Sequence, residues 1–312
     1  MSLPRPPAFV RDDAESHKGL SMRVFVAGAT GVIGRELVPR LVTAGHEVIG
    51  MSNDESRNGL LRSLGANPVV VDVFDRTALI AAFQREKPNA VIDELTSLGK
   101  ANYAANNRMR DEGTRNLVDA AKAAGVERFI AQSYCLYAPG SGLATENDPL
   151  DLSSGAFQRS IEGIVALERI VNEMPTGIIL RYGSMYGPGT WYAPGGSIAG
   201  QLLHGDFVAS NDVTSFVHVE DAAQAAVLAL HWPKGTFNIV DDEPVPETVW
   251  ASVLASLVGA PPPPTKTSAT PRRGVSNAKA RRDVGWHPIH PSWRVELKNE
   301  YAIASPAQQP SG

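Results

Sequence analysis

Three glycines at three-residue intervals, Gly28, Gly31 and Gly34 in VFVAGATGVIGRELV, have the clearest chemical use in this sequence. The apolar run before them reads as a strand and the amphipathic run after them as a helix. A sharp strand-to-helix turn needs Gly28, close approach of a pyrophosphate to the backbone needs Gly31, and Gly34 lets the helix pack tightly on the sheet. Free N–H groups at the helix start then face phosphate oxygens, and Thr30, Val32 and Ile33 belong to the same cradle. Glycine spacing alone is a weak signal, because glycine turns are common. Set between a strand and a helix, it points to a dinucleotide.

The other reactive types argue for less. Cys135 is the only cysteine, which excludes an intramolecular disulfide and a thiolate metal cluster. It reads as a small buried residue at a strand end and fits a reducing, cytoplasmic setting. His287 and His290 in HPIH are separated by proline and isoleucine with no acidic ligand close by, so a loop and no metal site is expected. Arg272, Arg273, Lys279, Arg281 and Arg282 form a basic run, expected on an exposed loop and helix face.

Elements able to position the glycine loop recur along the chain. RVFVA, EVIG, PVVV, AVI and RFIA (23–27, 47–50, 68–71, 90–92 and 128–131) read as buried strands. ELVPRLVTAG, RTALIAAFQREK and EGTRNLVDAAKAAG read as helices between them, two of them ending at Gly45 and Gly125 as a helix C-terminus prefers. Strand and helix in alternation predict an α/β fold with a doubly wound parallel sheet, extended by GIILRY and TFNIV. After Gly187 the composition changes: YGPGTWYAPGGS is too rich in turn formers for a regular element, and PPPP near 261–264 makes a stiff hinge.

A chain of 312 residues, 43% hydrophobic, can bury a sizeable core. Its formal net charge of −4 gives no footing for nucleic acid. No window carries 18 consecutive apolar residues, so no membrane span is expected. A small molecule is the expected partner, bound by a monomer or homodimer.

The spacing G-x-x-G-x-x-G, written GATGVIG, resembles that of the extended and atypical short-chain dehydrogenase/reductases, and further stretches match in order. VVVDVFD looks like their adenine-contacting segment, with Asp72 and Val73. RFIAQSYCLYA looks like the strand ending in the catalytic serine, with Ser133 four residues before Tyr137. LRYGSMYGPGT, with Tyr182, Gly183 and Tyr186, is similar to the segment that meets the nicotinamide and opens the substrate loop. Leu95 and Thr96 match the strand end whose backbone passes the nicotinamide ribose, although Asp93 and Glu94 depart from the pattern and, if buried, need partners. SFVHVEDAAQAAVLAL, holding His218, and SNAKARRDVGW resemble late signature stretches. The resemblance covers roughly residues 22 to 298. It implies a disordered arm over 1–21, a Rossmann-type domain over 22–186, a smaller interleaved substrate-binding lobe mainly over 187–300 with 213–240 returning to the core, and a flexible tail over 301–312.

In relatives that prefer NAD, an acidic side chain at the end of the second strand holds the ribose hydroxyls. Here Ser52 and Asn53 take that place, and Arg57 follows one helical turn on, where a guanidinium fork would clamp a 2′-phosphate. NADP is the expected cofactor, with Asp54 keeping NAD as the alternative.

One expected feature is missing. The family carries Tyr-x-x-x-Lys on the helix that SGAFQRSIEGIVALERIV (154–171) supplies here, with Phe157, Ile161, Ile164, Val165 and Leu167 as its apolar positions. The tyrosine donates a proton as hydride arrives; the lysine holds the ribose and lowers the tyrosine's pKa. Counting back from Glu168, which matches a family glutamate, Ser160 stands at the tyrosine position and Ile164 at the lysine position. No tyrosine in the chain has a lysine four residues on. Three readings follow. The first is a ketoreductase acting on a bulky aromatic polyketide, of the angucyclinone type, in which Ser133 binds the carbonyl and Tyr137, Tyr182, Tyr186 or a phenol of the substrate gives the proton. The second is a nucleotide-sugar epimerase or dehydratase, weakened by the lost tyrosine. The third is a dinucleotide-sensing protein without chemistry. Among imidazoles, only His218 is placed to act as an acid.

Overall fold

The computed structural model describes residues 21–98, 102–152 and 158–304. The chain begins as a repeated strand-helix alternation: β1 (Arg23–Ala27), α1 (Val32–Thr43), β2 (Glu47–Ser52), α2 (Asn58–Ser63), β3 (Asn67–Val70), α3 (Arg76–Glu86) and β4 (Ala90–Asp93). It continues through α4 (Tyr103–Arg108), a π-helical turn over Met109–Gly113, α5 (Thr114–Ala123), β5 (Arg128–Tyr134), α6 (Gln158–Val171) and β6 (Thr176–Tyr182). Shorter elements follow: β7 (Ser184–Tyr186), α7 (Ser197–His204), β8 (Ala209–Ser210), β9 (Val213–Thr214), β10 (Phe216–His218) and α8 (Val219–Leu228). Then come β11 (Gly235–Ile239), β12 (Val245–Pro246), α9 (Glu247–Leu257), β13 (Thr265–Lys266), α10 (Ala278–Val284) and α11 (Trp293–Ala304).

Seven strands form one parallel sheet in the order β11-β6-β5-β4-β1-β2-β3. Alternation along β1 shows why both faces must be covered. Val24 and Val26 enter a core with Leu37, Leu41 and the alanines of α8, while Phe25 and Ala27 enter another with Leu79, Phe83, Leu117 and Ile170. Phe25 and Phe83 are fully buried with ring centroids 4.4 Å apart, and each such side chain contributes roughly 1.5–3 kcal/mol.

A third core lies off the sheet. Tyr186, Phe216, Trp250, Leu254, Trp293, Leu297 and Tyr301 bind the short strands to α7, α9 and α11. The Tyr301 hydroxyl donates to the Tyr192 carbonyl at 3.0 Å and α11 runs on to Ala304, so the expected tail over 301–312 begins as the last turn of a helix; 305–312 lie outside the described residues. The arm expected over 1–20 and residues 154–157 of the amphipathic helix lie outside the described residues. In α6 the buried face is Ile161, Ile164, Leu167 and Ile170, whereas Val165 is 41% exposed and outside the stripe assigned to it. No helix among the described residues is long and apolar enough to cross a membrane.

Candidate active site

The strand order reverses between β1 and β4, and the glycine loop lies on that crevice. Such a switch point at the carboxyl ends of parallel strands is where open α/β sheets bind ligands. Gly28 has φ +86°, and a Cβ there would stand 2.7 Å from the Glu94 carbonyl carbon and oxygen at the end of β4. A Cβ on Gly34 would stand 2.3 Å from the Gly28 carbonyl oxygen, so only glycine lets α1 close on its own loop. Gly31 caps α1 with no side-chain bond to the first-turn N–H groups, and the backbone around Gly31 and Val32 is open. These uncapped donors suit a phosphate. Ile33 is buried in the first core and anchors the helix.

The second strand delivers its end residues to the same edge. Ser52 is buried and exchanges hydrogen bonds with Asp54 backbone, its Oγ receiving from Asp54 N at 3.1 Å. Asn53 is exposed. Arg57 Nη1 donates to Thr30 Oγ1 at 3.1 Å, tying the candidate phosphate clamp to the glycine loop. Asp54 turns its carboxylate onto Ser56, whose hydrogen bonds hold its pKa below the ordinary value. Asp72 is exposed and accepts from Phe74 N at 2.9 Å, while Val73 is buried and its carbonyl accepts from Asn116. Thr96 is exposed, and Leu95 N donates to Asp93 Oδ1 at 3.1 Å.

Asp93 and Glu94 are both buried, as the sequence made a concern. Burial lifts Asp93 to about 6, offset in part by Leu95 N and Thr114 Oγ1. Burial raises Glu94 well above the ordinary carboxylate value. The Tyr182 oxygen lies 3.1 Å from both Glu94 Oε1 and the Ala222 carbonyl. A phenol has one proton, so the Tyr182 hydroxyl donates to one of these two acceptors at a time. Tyr182, expected at the cofactor, is 1% exposed and occupied in this bond. Gly183 presses on the Ser215 carbonyl, 2.4 Å from where a Cβ would be.

The expected catalytic residues are placed differently from the expectation. Ser133 is 1% exposed, and its Oγ donates to Glu168 Oε1 at 2.7 Å. Arg181 closes on the same carboxylate with Nε at 2.8 Å and Nη2 at 2.7 Å, and gives Nη1 to the Tyr137 oxygen at 2.9 Å. Tyr137 donates to Asn238 Oδ1 at 2.5 Å, and burial holds its pKa up. Ser133 and Tyr137 thus fasten α6, β5, β6 and β11 together. Tyr186 is fully buried in the third core, edge-on to Phe216 and His218, and burial pushes its pKa up as well. The structure brings Ser133 and Tyr137 into one network and leaves Tyr186 outside it. The reason is spatial: Glu168 on α6, itself held by Arg181 on β6, reaches the serine first.

Beside that network runs a cleft lined by Tyr134, Leu136, Ser184, Thr214, Arg272 and Arg273, among others. Ser160, partly buried on the first turn of α6, offers its carbonyl to the buried Arg110. Ile164 is 1% exposed and seals the next turn.

The sequence profile of the NAD dependent epimerase/dehydratase family matches residues 24–239. The chain belongs to that family. A relative from Streptomyces sp., a 3-diazoavenalumate denitrifying reductase, is 39% identical over 308 residues, covering 89% of this chain and 100% of its own. UDP-glucose 4-epimerase of Mycolicibacterium smegmatis is 27% identical over 305 residues, covering 86% and 94%. In structure the chain is similar to the Bordetella bronchiseptica enzyme WbmG in complex with NAD, with TM-score 0.75 at 22% identity over 92% of this chain and 95% of that one.

Within this epimerase/dehydratase family member, several residues escaped the sequence reading. Arg272 and Arg273 line the cleft instead of an exposed loop: Arg273 pairs with Asp148 at 2.6 Å and Arg272 with Glu247 at 3.0 Å. Lys279 likewise spends its ammonium on the Thr236 carbonyl, and only Arg282 stays mostly exposed. His290 has the acidic neighbours its sequence context lacked, Glu220 at 3.2 Å and Glu296 at 3.7 Å, and its ring lies 4.0 Å from that of His218. His218 itself caps α8 and meets Glu300 at 3.2 Å, away from the residues lining the cleft. Arg110 did carry a signal. It falls on the inward stripe of its helical segment with Asn106, Thr114 and Leu117, a position where arginine needs a reason.

Proposed function

We propose that the protein is an NADPH-dependent reductase whose acceptor needs no proton from a protein tyrosine. The observation that carries this is α6: Ser160 and Ile164 stand where the dyad would be, and Tyr137, Tyr182 and Tyr186 are each committed to buried contacts. The glycine cradle, the uncapped α1 and the Thr30–Arg57 bond beside Ser52 and Asn53 fit a dinucleotide bearing a 2′-phosphate. A bound nicotinamide supplies hydride. The chain would position it at the switch point.

The relative's name supplies an acceptor that matches the missing acid. When hydride attacks an arenediazonium, a C–H bond forms, the C–N bond breaks and N2 leaves with its electron pair. No alkoxide appears, so no acid is called for. We therefore favour an aromatic diazo compound over a ketone. A ketone of an aromatic polyketide, protonated by its own neighbouring phenol, is the second reading that the absent dyad supports. An epimerase is disfavoured because it must remove a hydroxyl proton with the tyrosine this chain lacks.

The test is anaerobic NADPH oxidation against diazo-substituted aromatic acids, aryl ketones with and without a neighbouring phenol, and UDP-glucose, with N2 followed by mass spectrometry. One N2 per NADPH is expected with the diazo acids. Turnover of UDP-glucose, or of ketones lacking the phenol, would overturn the proposal.

A further inference from the structure

Arg110 is 5% exposed and lies on the π-helical turn between α4 and α5, against the first turn of α6. Its one hydrogen bond among the described residues is long, Nη1 to the Ser160 carbonyl at 3.5 Å, and no described carboxylate pairs with it. The carboxylate that acts on it electrostatically is Glu168, and both oxygens of Glu168 are already taken by Arg181, with Ser133 on one of them. Two buried guanidinium groups thus face one carboxylate, and the cluster holds a surplus positive charge. Desolvation lowers Arg110 to about 10, which still leaves it cationic at neutral pH. A buried cation without a counter-charge is costly, and proteins keep one where a ligand completes it. The insertion of one residue that makes a π turn is a common device for aiming a side chain at a functional site.

What arrives there is constrained by chemistry. The cofactor's phosphates belong to the glycine loop at α1, and the nicotinamide and its ribose carry no negative charge. The anion that reaches α6 is therefore the substrate's. Tyr134, which acts on Arg110 electrostatically and lines the cleft, holds its hydroxyl 3.2 Å from Ser184 Oγ. A planar guanidinium matches the two oxygens of a carboxylate.

We propose that Arg110 binds the carboxylate of an aromatic acid substrate at the first turn of α6. This rests on the reductase reading for the identity of the ligand, but its test does not need turnover. Binding of 4-hydroxycinnamate and of its primary amide to the NADP⁺-loaded protein is measured by calorimetry, alongside NADPH titration. The acid is expected to bind at least about tenfold more tightly than the amide, the scale of one charge-assisted pair. Arg110→Gln removes that preference and Arg110→Lys keeps part of it, with NADPH affinity held in both. Equal binding of acid and amide to the unaltered protein overturns the proposal without recourse to any variant. So does an Arg110→Gln protein that keeps the preference, or one that loses NADPH instead, which would assign Arg110 to the cofactor. Acid selectivity without reduction of any diazo acid would leave Arg110 standing and remove the acceptor; reduction without selectivity would do the reverse.

Discussion

The two ends of the crevice are built on opposite principles. At the β1–β2 end, polar groups are left over: the N–H groups of α1 have no cap, and Arg57 reaches only Thr30 and Asp54. At the β5–β6 end they are used up, with Ser133, Glu168, Arg181, Tyr137 and Asn238 satisfying one another. Leftover donors mark where a ligand is expected, and exhausted ones mark a frame. On the reading proposed above, the serine position that resembles the family's catalytic one serves here as part of the frame. Arg110 is the exception at that end, and it is the only group there, among the described residues, that we read as waiting for a ligand.

Removing the network's carboxylate tests this contrast most severely. Glu168→Ala leaves Arg181 buried without its partner beside an already uncompensated Arg110. Breaking such a pair costs roughly 3–5 kcal/mol, read by chemical denaturation. The protein that remains folded should bind NADPH as before, because the glycine loop shares no bond with Glu168.

The cofactor end has its own cost, in the carboxyl groups beneath it. Asp93, 4% exposed, has its pKa raised to about 6. A group that binds its proton more tightly folded than unfolded stabilises fully below its unfolded value near 4, and that stability is lost as pH rises to about 6. Asp93→Asn keeps an acceptor for Leu95 N and offers Thr114 Oγ1 an amide N–H to accept from, without a charge. It should therefore gain stability over the parent at pH 7, on the order of 3 kcal/mol at most, and gain nothing at pH 4. Denaturation midpoints at the two pH values measure this.

Next in size are the effects on binding. Gly34→Ala drives a Cβ to within 2.3 Å of the Gly28 carbonyl oxygen, with backbone on both sides. The loop must open, and NADPH affinity should fall about a hundredfold, near 2.7 kcal/mol. Arg57→Ala should cost about tenfold for NADPH and leave NADH unchanged, since the 2′-phosphate alone separates them. Equal losses for both would return the second-strand end to NAD.

The sequence was most informative where backbone constraints dominate. Gly28 and Gly34 are readable because no other residue fits their contacts, and the strands are readable because a sheet buried on both faces demands apolar runs. The partner of Ser133 was not readable: Glu168 lies 35 residues away, and nothing local says that its carboxylate will take both the serine and Arg181. Arg273 looked like a surface charge because its partner Asp148 comes from a distant loop. His290 lacked acidic neighbours in sequence for the same reason, since Glu220 sits at the start of α8. Side-chain roles set by long-range charge pairing are invisible to spacing, and Arg110, which shares a buried helical stripe with Asn106, Thr114 and Leu117, was not singled out from the sequence.

The smallest effect gives the finest discrimination. Tyr137→Phe deletes one hydroxyl that accepts from Arg181 and donates to Asn238. As part of a frame it is worth about 1–2 kcal/mol of stability. kcat/KM for the preferred acceptor should then stay within about twofold, because a residue outside the transition state shifts neither binding nor chemistry. A proton donor behaves otherwise: general acid catalysis contributes about 10²–10⁴-fold, so a loss of that size with NADPH affinity intact would make Tyr137 the relocated acid. The acceptor would then have to be one that forms an alkoxide, which returns the ketone to first place.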